Sequence, residues 1–292
     1  MTADLATVPE ELRPIEPIAA HMVASADGTR LHVREWGRQD AQTIVFVHGW
    51  SQCDLCWARQ VRGTLAERFH LITFDLRGHG RSDAPADAAR YTDDLVWADD
   101  LAAVLEVVSA RRPVLVGWSY GAFVVADYLR AYGEAAIGAI ALVGASARLM
   151  PPYQGIGPGL LENVVDMCGT DLLANIEATR RFLAACTRRP RTRAETEIAL
   201  AWTMTVPAGI REALRAREID VADVYAATIV PMLVTQGRED AIVLPVMAQE
   251  LLERCPAATA SWYDGVGHAP FWEAPDRFDL ELAALAERVP HA

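Results

Sequence analysis

The sequence contains no lysine, because all 27 of its basic residues are arginine. Without lysine the chain cannot form a Schiff base, a serine–lysine dyad or a P-loop phosphate site. It also has no apolar run near the ~18 residues that a membrane helix needs. Acidic residues number 39, so the net charge is −12. Such a chain is repelled by phosphate backbones and anionic membranes, so we expect neither nucleic acid nor a membrane as a partner.

Cysteine is sparse as well. There are five cysteines, and the first residues carry acids and prolines where a secretory signal needs a basic start and an apolar run. We therefore expect reduced thiols in a cytoplasmic protein. Cys53 and Cys56 form a CxxC, but no second pair or zinc-spaced histidine accompanies them. We interpret them as structural thiols, with a redox or metal role as the alternative.

Short apolar runs alternate with longer amphipathic stretches along most of the 292 residues. This alternation predicts parallel crossovers and an α/β fold with a doubly wound, mostly parallel sheet, edged by an antiparallel hairpin over residues 21–36. The alternation is interrupted by helical periodicity over roughly 80 residues, too many for a loop. We predict an N-terminal arm (1–20), a core (21–146), an inserted helical cap (147–228) and the rest of the core (229–292).

Residues 117 to 121 read GWSYG, directly after the apolar run VLV and before an amphipathic stretch. Two glycines allow a strand and a helix to pack closely around a sharp turn, which pushes the residue at its tip outward. We predict that Ser119 is a catalytic nucleophile. The alternative is an ordinary structural turn.

A serine hydroxyl needs a base, and the base needs an orienting acid. Of seven histidines, only His268 lies in a turn-rich segment directly after the last predicted strand, at the sheet edge where open parallel sheets carry their sites. Asp240 follows the preceding predicted strand, and we prefer it to the adjacent Glu239 because its shorter side chain suits a turn that points back at the histidine.

Two backbone N–H groups are expected to stabilise the oxyanion that forms when serine adds to a carbonyl. Tyr120 begins the helix after the nucleophile, and Trp50 follows the Gly49 turn after another strand. The substrate pocket is predicted to be apolar and aromatic. Its candidate residues are Trp118, Phe123, Trp202, Phe271 and Trp272.

The sequence resembles the α/β-hydrolase superfamily in five motifs that occur in the family's order. The motifs are HGW at 48–50, DLRGHGRSD at 75–83, GWSYGA at 117–122, GREDAIVLP at 237–245 and GHAPFWEAPDRF at 267–278. The resemblance implies an eight-stranded sheet, a lid after the sixth strand, and a triad of Ser119, Asp240 and His268 that uses no cofactor and no metal. It assigns no chemical role to the DLRGHGRSD loop.

Within that superfamily, the serine at position 119 is unlike the aspartate of haloalkane dehalogenases and epoxide hydrolases. The chain looks more like cofactor-free haloperoxidases and perhydrolases, their esterase relatives, and cofactor-independent dioxygenases. Ala122 and Ser51 stand where many of these carry glycine and proline, which favours plain hydrolysis of a small-molecule ester. Perhydrolysis, lactone or carbon–carbon hydrolysis and oxygenation are alternatives, and a non-catalytic ligand receptor is a remote one.

Overall fold

The computed structural model describes Arg13 and residues 15 to 290, so most of the predicted arm (residues 1–12 and 14) lies outside the described residues. Ten strands are present in the described part of the chain. They are β1 (Ala19–Ala24), β2 (Arg30–Gly37), β3 (Thr43–Val47), β4 (His70–Phe74), β5 (Val114–Trp118), β6 (Ala139–Val143), β7 (Arg148–Leu149), β8 (Ile219–Asp220), β9 (Met232–Gly237) and β10 (Ala258–Tyr263).

Eight strands form one sheet in the order β1-β2-β4-β3-β5-β6-β9-β10. The pairs β1/β2 and β2/β4 are antiparallel, and every other neighbouring pair is parallel. The predicted sheet and its edge hairpin are therefore confirmed. Because β3, β5, β6, β9 and β10 run in one direction, their carboxyl ends meet at one edge.

Helices cover the sheet and fill the interval between β6 and β9. They are α1 (Ala58–Arg62), α2 (Thr64–Arg68), α3 (Asp94–Val107), α4 (Tyr120–Tyr132), α5 (Pro158–Leu161), α6 (Val164–Met167), α7 (Leu172–Ala185), α8 (Arg193–Met204), α9 (Ala208–Arg215), α10 (Ala222–Ala227), α11 (Pro245–Arg254), α12 (Pro270–Glu273) and α13 (Pro275–Ala286), with 3-10 turns at Asp54–Trp57 and Ala88–Tyr91. No helix in the described residues is long and apolar enough to cross a bilayer.

The central strands are buried on both faces, which explains their continuous apolar sequences. In β3, Ile44 and Phe46 belong to one core, whereas Val45 and Val47 belong to the core on the opposite face. This division follows the two-residue repeat of a strand. The sheet is thus fixed between two helical layers, and its carboxyl edge is held in a defined position.

One predicted helix is divided. The apolar periodicity predicts a helix over residues 57–68, but Gly63 separates α1 from α2 with an extended ψ of −172°. A Cβ at Gly63 would lie 2.7 Å from Oδ2 of Asp279 in α13. The Arg59 carbonyl oxygen would lie 2.9 Å from the same Cβ. The two contacts together favour glycine at this position, and local periodicity cannot indicate the one with α13.

Candidate active site

Ser119 lies at the tip of the turn between β5 and α4, with φ 54° and ψ −117°. This conformation is strained for a residue with a side chain. The turn is held by the Ser119 N–H, which donates to the Val143 carbonyl of β6 at 2.9 Å. A Cβ at Gly117 would lie 2.8 Å from Cα of Ala122, and a Cβ at Gly121 would lie 2.2 Å from the Val47 carbonyl oxygen. Both glycines are therefore required by close backbone packing.

His268 and Asp240 lie next to each other and are buried. Asp240 Oδ2 is 2.8 Å from His268 Nδ1. The other carboxylate oxygen accepts the N–H groups of Ile242 at 2.8 Å and Val243 at 3.0 Å. These bonds hold the carboxylate so that Nδ1 of the imidazole keeps its proton and Nε2 is left as the basic nitrogen. Glu239 instead accepts the Val266 N–H at 3.1 Å.

The backbone of His268 is fixed from two sides. Its N–H donates to the Cys186 carbonyl at the end of α7, and its carbonyl accepts the Trp118 indole N–H, both at 2.9 Å. Ser119 and His268 line the same small cavity. Among the hydrogen bonds of residues 15 to 290, none joins the Ser119 hydroxyl to the imidazole. Such bonds often tighten only when substrate binds.

The two predicted oxyanion donors are available. In the described part of the chain, no protein acceptor pairs with the backbone N–H of Trp50 or of Tyr120. Gly49 brings the Trp50 loop onto the serine, because a Cβ at Gly49 would lie 3.2 Å from Cβ of Ser119. The Trp50 indole N–H donates to the Arg211 carbonyl of α9 at 3.2 Å, which ties this loop to the cap segment.

Two buried neutral histidines support the Trp50 loop. His48 Nδ1 donates to the Gly49 carbonyl at 2.9 Å, and its Nε2 accepts the Leu76 N–H at 3.0 Å. His79 Nε2 accepts the Ser51 N–H at 3.2 Å. Burial lowers the pKa of both imidazoles, that of His79 to about 3, so each keeps the lone pair it needs as an acceptor. No local sequence pattern indicates this support.

Two cavities open beside Ser119. The first, of about 60 Å³, extends past Tyr120 and Phe123, and the second, of about 30 Å³, is bordered by Trp118, Gln52 and His268. Sequence reasoning missed most of the other wall residues, which are aliphatic or aromatic side chains from the cap segment and from the segment after Asp240. They are Leu149, Ile156, Leu160, Val164, Phe182, Ile242 and Val243.

Three candidate pocket residues lie further from Ser119. The Trp202 indole N–H donates to the Gln52 side chain at 3.0 Å. Phe271 packs against Trp118 with ring centroids 4.8 Å apart, and Trp272 stacks edge-on against Trp202 at 6.5 Å. None of the three belongs to the walls of the two cavities that Ser119 lines. Direct contact of these residues with substrate stays a prediction.

One group of described residues has metal-ligand character: His32, Asp54 and Asp75 offer ligand atoms within 4.8 Å of one another. The Asp54 carboxylate pairs with Arg34. Asp75 accepts the backbone N–H groups of Asp54 at 2.8 Å and Arg81 at 2.9 Å. Because these bonds occupy the carboxylate oxygens, we interpret the group as an internal charge network that fixes the loop after β4.

The cysteines are free thiols, and Cys53 and Cys56 are buried. Burial raises the pKa of both thiols well above the usual range. A thiol that stays protonated is a poor nucleophile and a poor metal ligand. The two residues therefore act as small apolar side chains in the core.

A mostly parallel eight-stranded sheet with a strained residue at the tip of a strand–helix turn is the architecture of the α/β hydrolases. The chain belongs to the alpha/beta hydrolase family, whose model matches residues 44–279. The resemblance inferred from the motifs is confirmed.

Three similar proteins illustrate the range of the family. The chain is 28% identical to a non-heme chloroperoxidase of Streptomyces lividans, over 91% of this chain and 99% of the relative. It is 29% identical to the bifunctional esterase/perhydrolase DCH of Acinetobacter calcoaceticus, over 76% of this chain and 82% of the relative. The crystal structure of esterase RhEst1 from Rhodococcus sp. ECU1013 superposes with a TM-score of 0.88 and 32% identity, covering 94% of this chain and 100% of that one. These similarities support the assignment of this chain as a hydrolase.

Proposed function

We propose that the protein is a serine hydrolase that cleaves carboxylic esters through an acyl-enzyme on Ser119. The observation that carries the proposal is the arrangement of Asp240, His268 and Ser119, in which the imidazole is oriented by the carboxylate at 2.8 Å and borders the same cavity as the serine. The strained backbone of Ser119 and the two unpaired N–H groups at Trp50 and Tyr120 support it further.

In the proposed mechanism, His268 Nε2 removes the hydroxyl proton as Ser119 Oγ bonds to the ester carbonyl carbon. The N–H groups of Trp50 and Tyr120 hold the oxyanion, and the Asp240 carboxylate stabilises the imidazolium. The imidazolium then protonates the leaving alkoxide, and the carbonyl re-forms as an acyl-enzyme. His268 then takes a proton from water as the water oxygen bonds to the acyl carbon. The bond between the acyl carbon and Ser119 Oγ breaks, the acid leaves, and the imidazolium returns the proton to Ser119 Oγ. Only protein groups and water take part.

We also propose that residues 147–228 act as a cap. This segment lies between β6 and β9, and its side chains complete both cavities beside Ser119: Leu149, Ile156, Leu160 and Val164 in the larger, and Leu160 and Phe182 in the smaller. The cap therefore sets the shape of the space around the nucleophile, whereas the core supplies the reacting groups.

The test is the hydrolysis of methyl butanoate, followed by acid release at constant pH, with the Ser119→Ala variant as the comparison. We expect turnover to be lost while the melting temperature changes little. An organophosphonate should label the wild-type protein irreversibly, and peptide mass mapping should place the adduct on Ser119. Unchanged hydrolysis in the variant would remove the serine from the mechanism. A wild-type protein inert to both ester and organophosphonate would favour the receptor alternative.

Perhydrolysis is a second candidate, favoured by the names of the chloroperoxidase and esterase/perhydrolase relatives. In that reaction hydrogen peroxide replaces water as the group that attacks the acyl-enzyme, and a peroxy acid leaves instead of the acid. Ser119 and His268 keep the same roles. Measuring peroxy acid and acid together, with and without peroxide, separates the two reactions, because only a perhydrolase diverts most of the acyl group to peroxide.

A further inference from the structure

We infer that the substrate is asymmetric: an ester of a small alcohol with a larger, uncharged, apolar acyl group. The inference rests on the proposed function and assigns each of the two cavities at Ser119 to one side of the ester bond. It depends on which cavity His268 borders, on the relative volumes of the two cavities, and on the mostly aliphatic and aromatic walls of the larger one.

The position of His268 decides the orientation of the ester between the two cavities. The leaving oxygen must receive its proton from the imidazole, so the alcohol side of the ester has to face His268. His268 borders the cavity of about 30 Å³ and is absent from the walls of the larger one. With the carbonyl oxygen held at the N–H groups of Trp50 and Tyr120, the acyl chain is then directed into the cavity of about 60 Å³.

The volumes of the two cavities limit the sizes of the alcohol and acyl groups. A water-sized group occupies about 10–15 Å³ on this measure, so the smaller cavity holds on the order of two or three non-hydrogen atoms and the larger about four to six. The smaller cavity is closed by Phe182, whose ring packs edge-on against the Trp50 indole with centroids 5.8 Å apart. It is bounded elsewhere by Trp118 and by the Gln52 amide. A methyl or ethyl group fits there, and a butyl or aromatic alcohol requires the walls to move.

The Ser146 and Arg215 side chains, which border the larger cavity, bond to groups of the protein. The Ser146 hydroxyl donates to the Arg148 carbonyl at 2.7 Å and accepts the Arg148 N–H at 3.0 Å. The Arg215 guanidinium makes two bonds to the Glu212 carboxylate, at 2.7 and 2.5 Å. Other walls are aliphatic or aromatic, including Leu149 and Val164. Most of an acyl chain in this cavity would face aliphatic and aromatic walls, where a charge or a hydroxyl loses its hydration, so an apolar acyl group is favoured.

The Gln52 side chain, which borders the smaller cavity, is also hydrogen-bonded within the protein. The Gln52 amide nitrogen donates to the Ser51 carbonyl at 3.2 Å and to the Thr203 hydroxyl at 3.4 Å, and its oxygen accepts the Trp202 indole N–H. Gln52 therefore holds its position as a wall and does not offer a hydrogen bond to a polyol. A simple alkyl alcohol is the group that fits.

The experiment measures kcat/KM for two series of esters by acid release. One series keeps the butanoyl group and lengthens the alcohol from methyl to butyl; the other keeps the methyl group and lengthens the acid from acetyl to hexanoyl. We expect the first series to lose at least about tenfold in kcat/KM and the second to lose less than about threefold, since one misplaced methylene can cost tenfold or more.

Two cap variants test the assignment of each cavity. Phe182→Ala opens the smaller cavity and should raise the ratio of butyl to methyl butanoate turnover by about tenfold or more. Leu149→Phe fills the larger cavity and should lower the ratio of methyl hexanoate to methyl acetate turnover by a similar factor. Leu173→Phe, at an exposed position of α7, is the matched control and should change neither ratio. Should Phe182→Ala fail to fold, Phe182→Leu tests the same wall with a smaller expected change.

The outcomes are distinguishable. The assignment would be overturned if kcat/KM fell steeply as the acid is lengthened and stayed level as the alcohol is lengthened. It would also be overturned if Phe182→Ala changed the acid preference and Leu149→Phe changed the alcohol preference. Ester hydrolysis itself would stand in both cases. Equal tolerance in both series would also overturn the assignment. If no ester is hydrolysed and the organophosphonate does not label Ser119, the proposed function fails and the inference fails with it.

Discussion

The Glu273 carboxylate accepts the backbone N–H of Gly267, the residue before His268, at 2.7 Å. Its second oxygen accepts the Arg189 N–H, also at 2.7 Å. Glu273 thus joins the turn that carries the histidine to the segment that follows α7. A carboxylate suits this position, because each of its two oxygens accepts one N–H bond.

We predict that Glu273→Gln lowers kcat for ester hydrolysis by about tenfold, because the amide replaces one accepting oxygen with a donor and releases one of the two N–H groups. The loss should fall on kcat more than on KM, since the residue positions the base and borders neither cavity. Steady-state kinetics check this. A purely structural role would lower the melting temperature and leave kcat of the folded fraction unchanged.

Asp240→Asn should lower kcat by about 10³ to 10⁴, because an amide neither stabilises the imidazolium nor fixes the histidine tautomer. The matched control is Glu239→Gln, the neighbouring acid, which bonds to the Val266 N–H and should cost less than about tenfold. Kinetics of the two variants on methyl butanoate decide between the adjacent carboxylates. A larger effect at Glu239 would reverse the assignment.

Gly121→Ala should destabilise the protein by about 3 kcal/mol or more, or prevent folding, because the new methyl group would sit 2.2 Å from the Val47 carbonyl oxygen. Gly209→Ala is the control. Gly209 lies in α9 with nothing within 4 Å of its added Cβ, so alanine there should stabilise by about 0.5 kcal/mol. Urea unfolding measures both. Equal effects would show that the strand–helix contact at Gly121 is looser than described.

We predict that the buried Asp279 carboxyl makes the stability of the protein depend on pH. Burial raises its pKa to about 7, although Gln60 donates a hydrogen bond to Oδ1 at 3.0 Å. The folded state therefore binds this proton more tightly than the unfolded state does. The Asp279 contribution to the free energy of unfolding falls as the pH rises from about 4 to about 7, and then stays constant.

Asp279→Asn removes this dependence, so the variant should gain about 2 to 4 kcal/mol relative to wild type between pH 4.5 and pH 7.5. Urea unfolding of both proteins at the two pH values gives the difference, and Asp264→Asn, at an exposed side chain, is the control. A wild-type-to-variant difference that is the same at both pH values would contradict the raised pKa.

Much of the fold could be predicted, because short patterns of apolar residues and glycines in the sequence indicate it. The apolar runs at residues 43–47 and 258–263 predict strands, and β3 and β10 have these bounds. β1 begins at Ala19, two residues before the start of the predicted hairpin. The nucleophile turn was also recognisable, because two glycines around Ser119 follow a buried strand and precede a helix. The division of one predicted helix at Gly63 was not, since the apolar periodicity continues across the break.

The candidate site, too, could be predicted only in part. Residue types and their order along the chain were enough to select Ser119, Asp240 and His268, because each follows a strand whose end lies at one edge of a parallel sheet. The cavity walls were not predictable, since Leu149, Ile156 and Phe182 are ordinary apolar side chains whose neighbours are set by how the cap helices pack. Phe271 and Trp272 are predicted as aromatic neighbours of the motifs and Trp202 as an aromatic residue of the inserted segment, and none of the three belongs to the walls of the two cavities.

Local sequence is enough to indicate the class of fold and the candidate reacting groups, because periodicity, glycine spacing and the order of chemical groups act over short stretches of chain. The packing of distant segments, in contrast, sets which cavity His268 borders, how large each cavity is, and which polar side chains bond to protein groups. Those properties depend on contacts between segments such as the cap and the Trp50 loop, and no local pattern records how two distant segments pack.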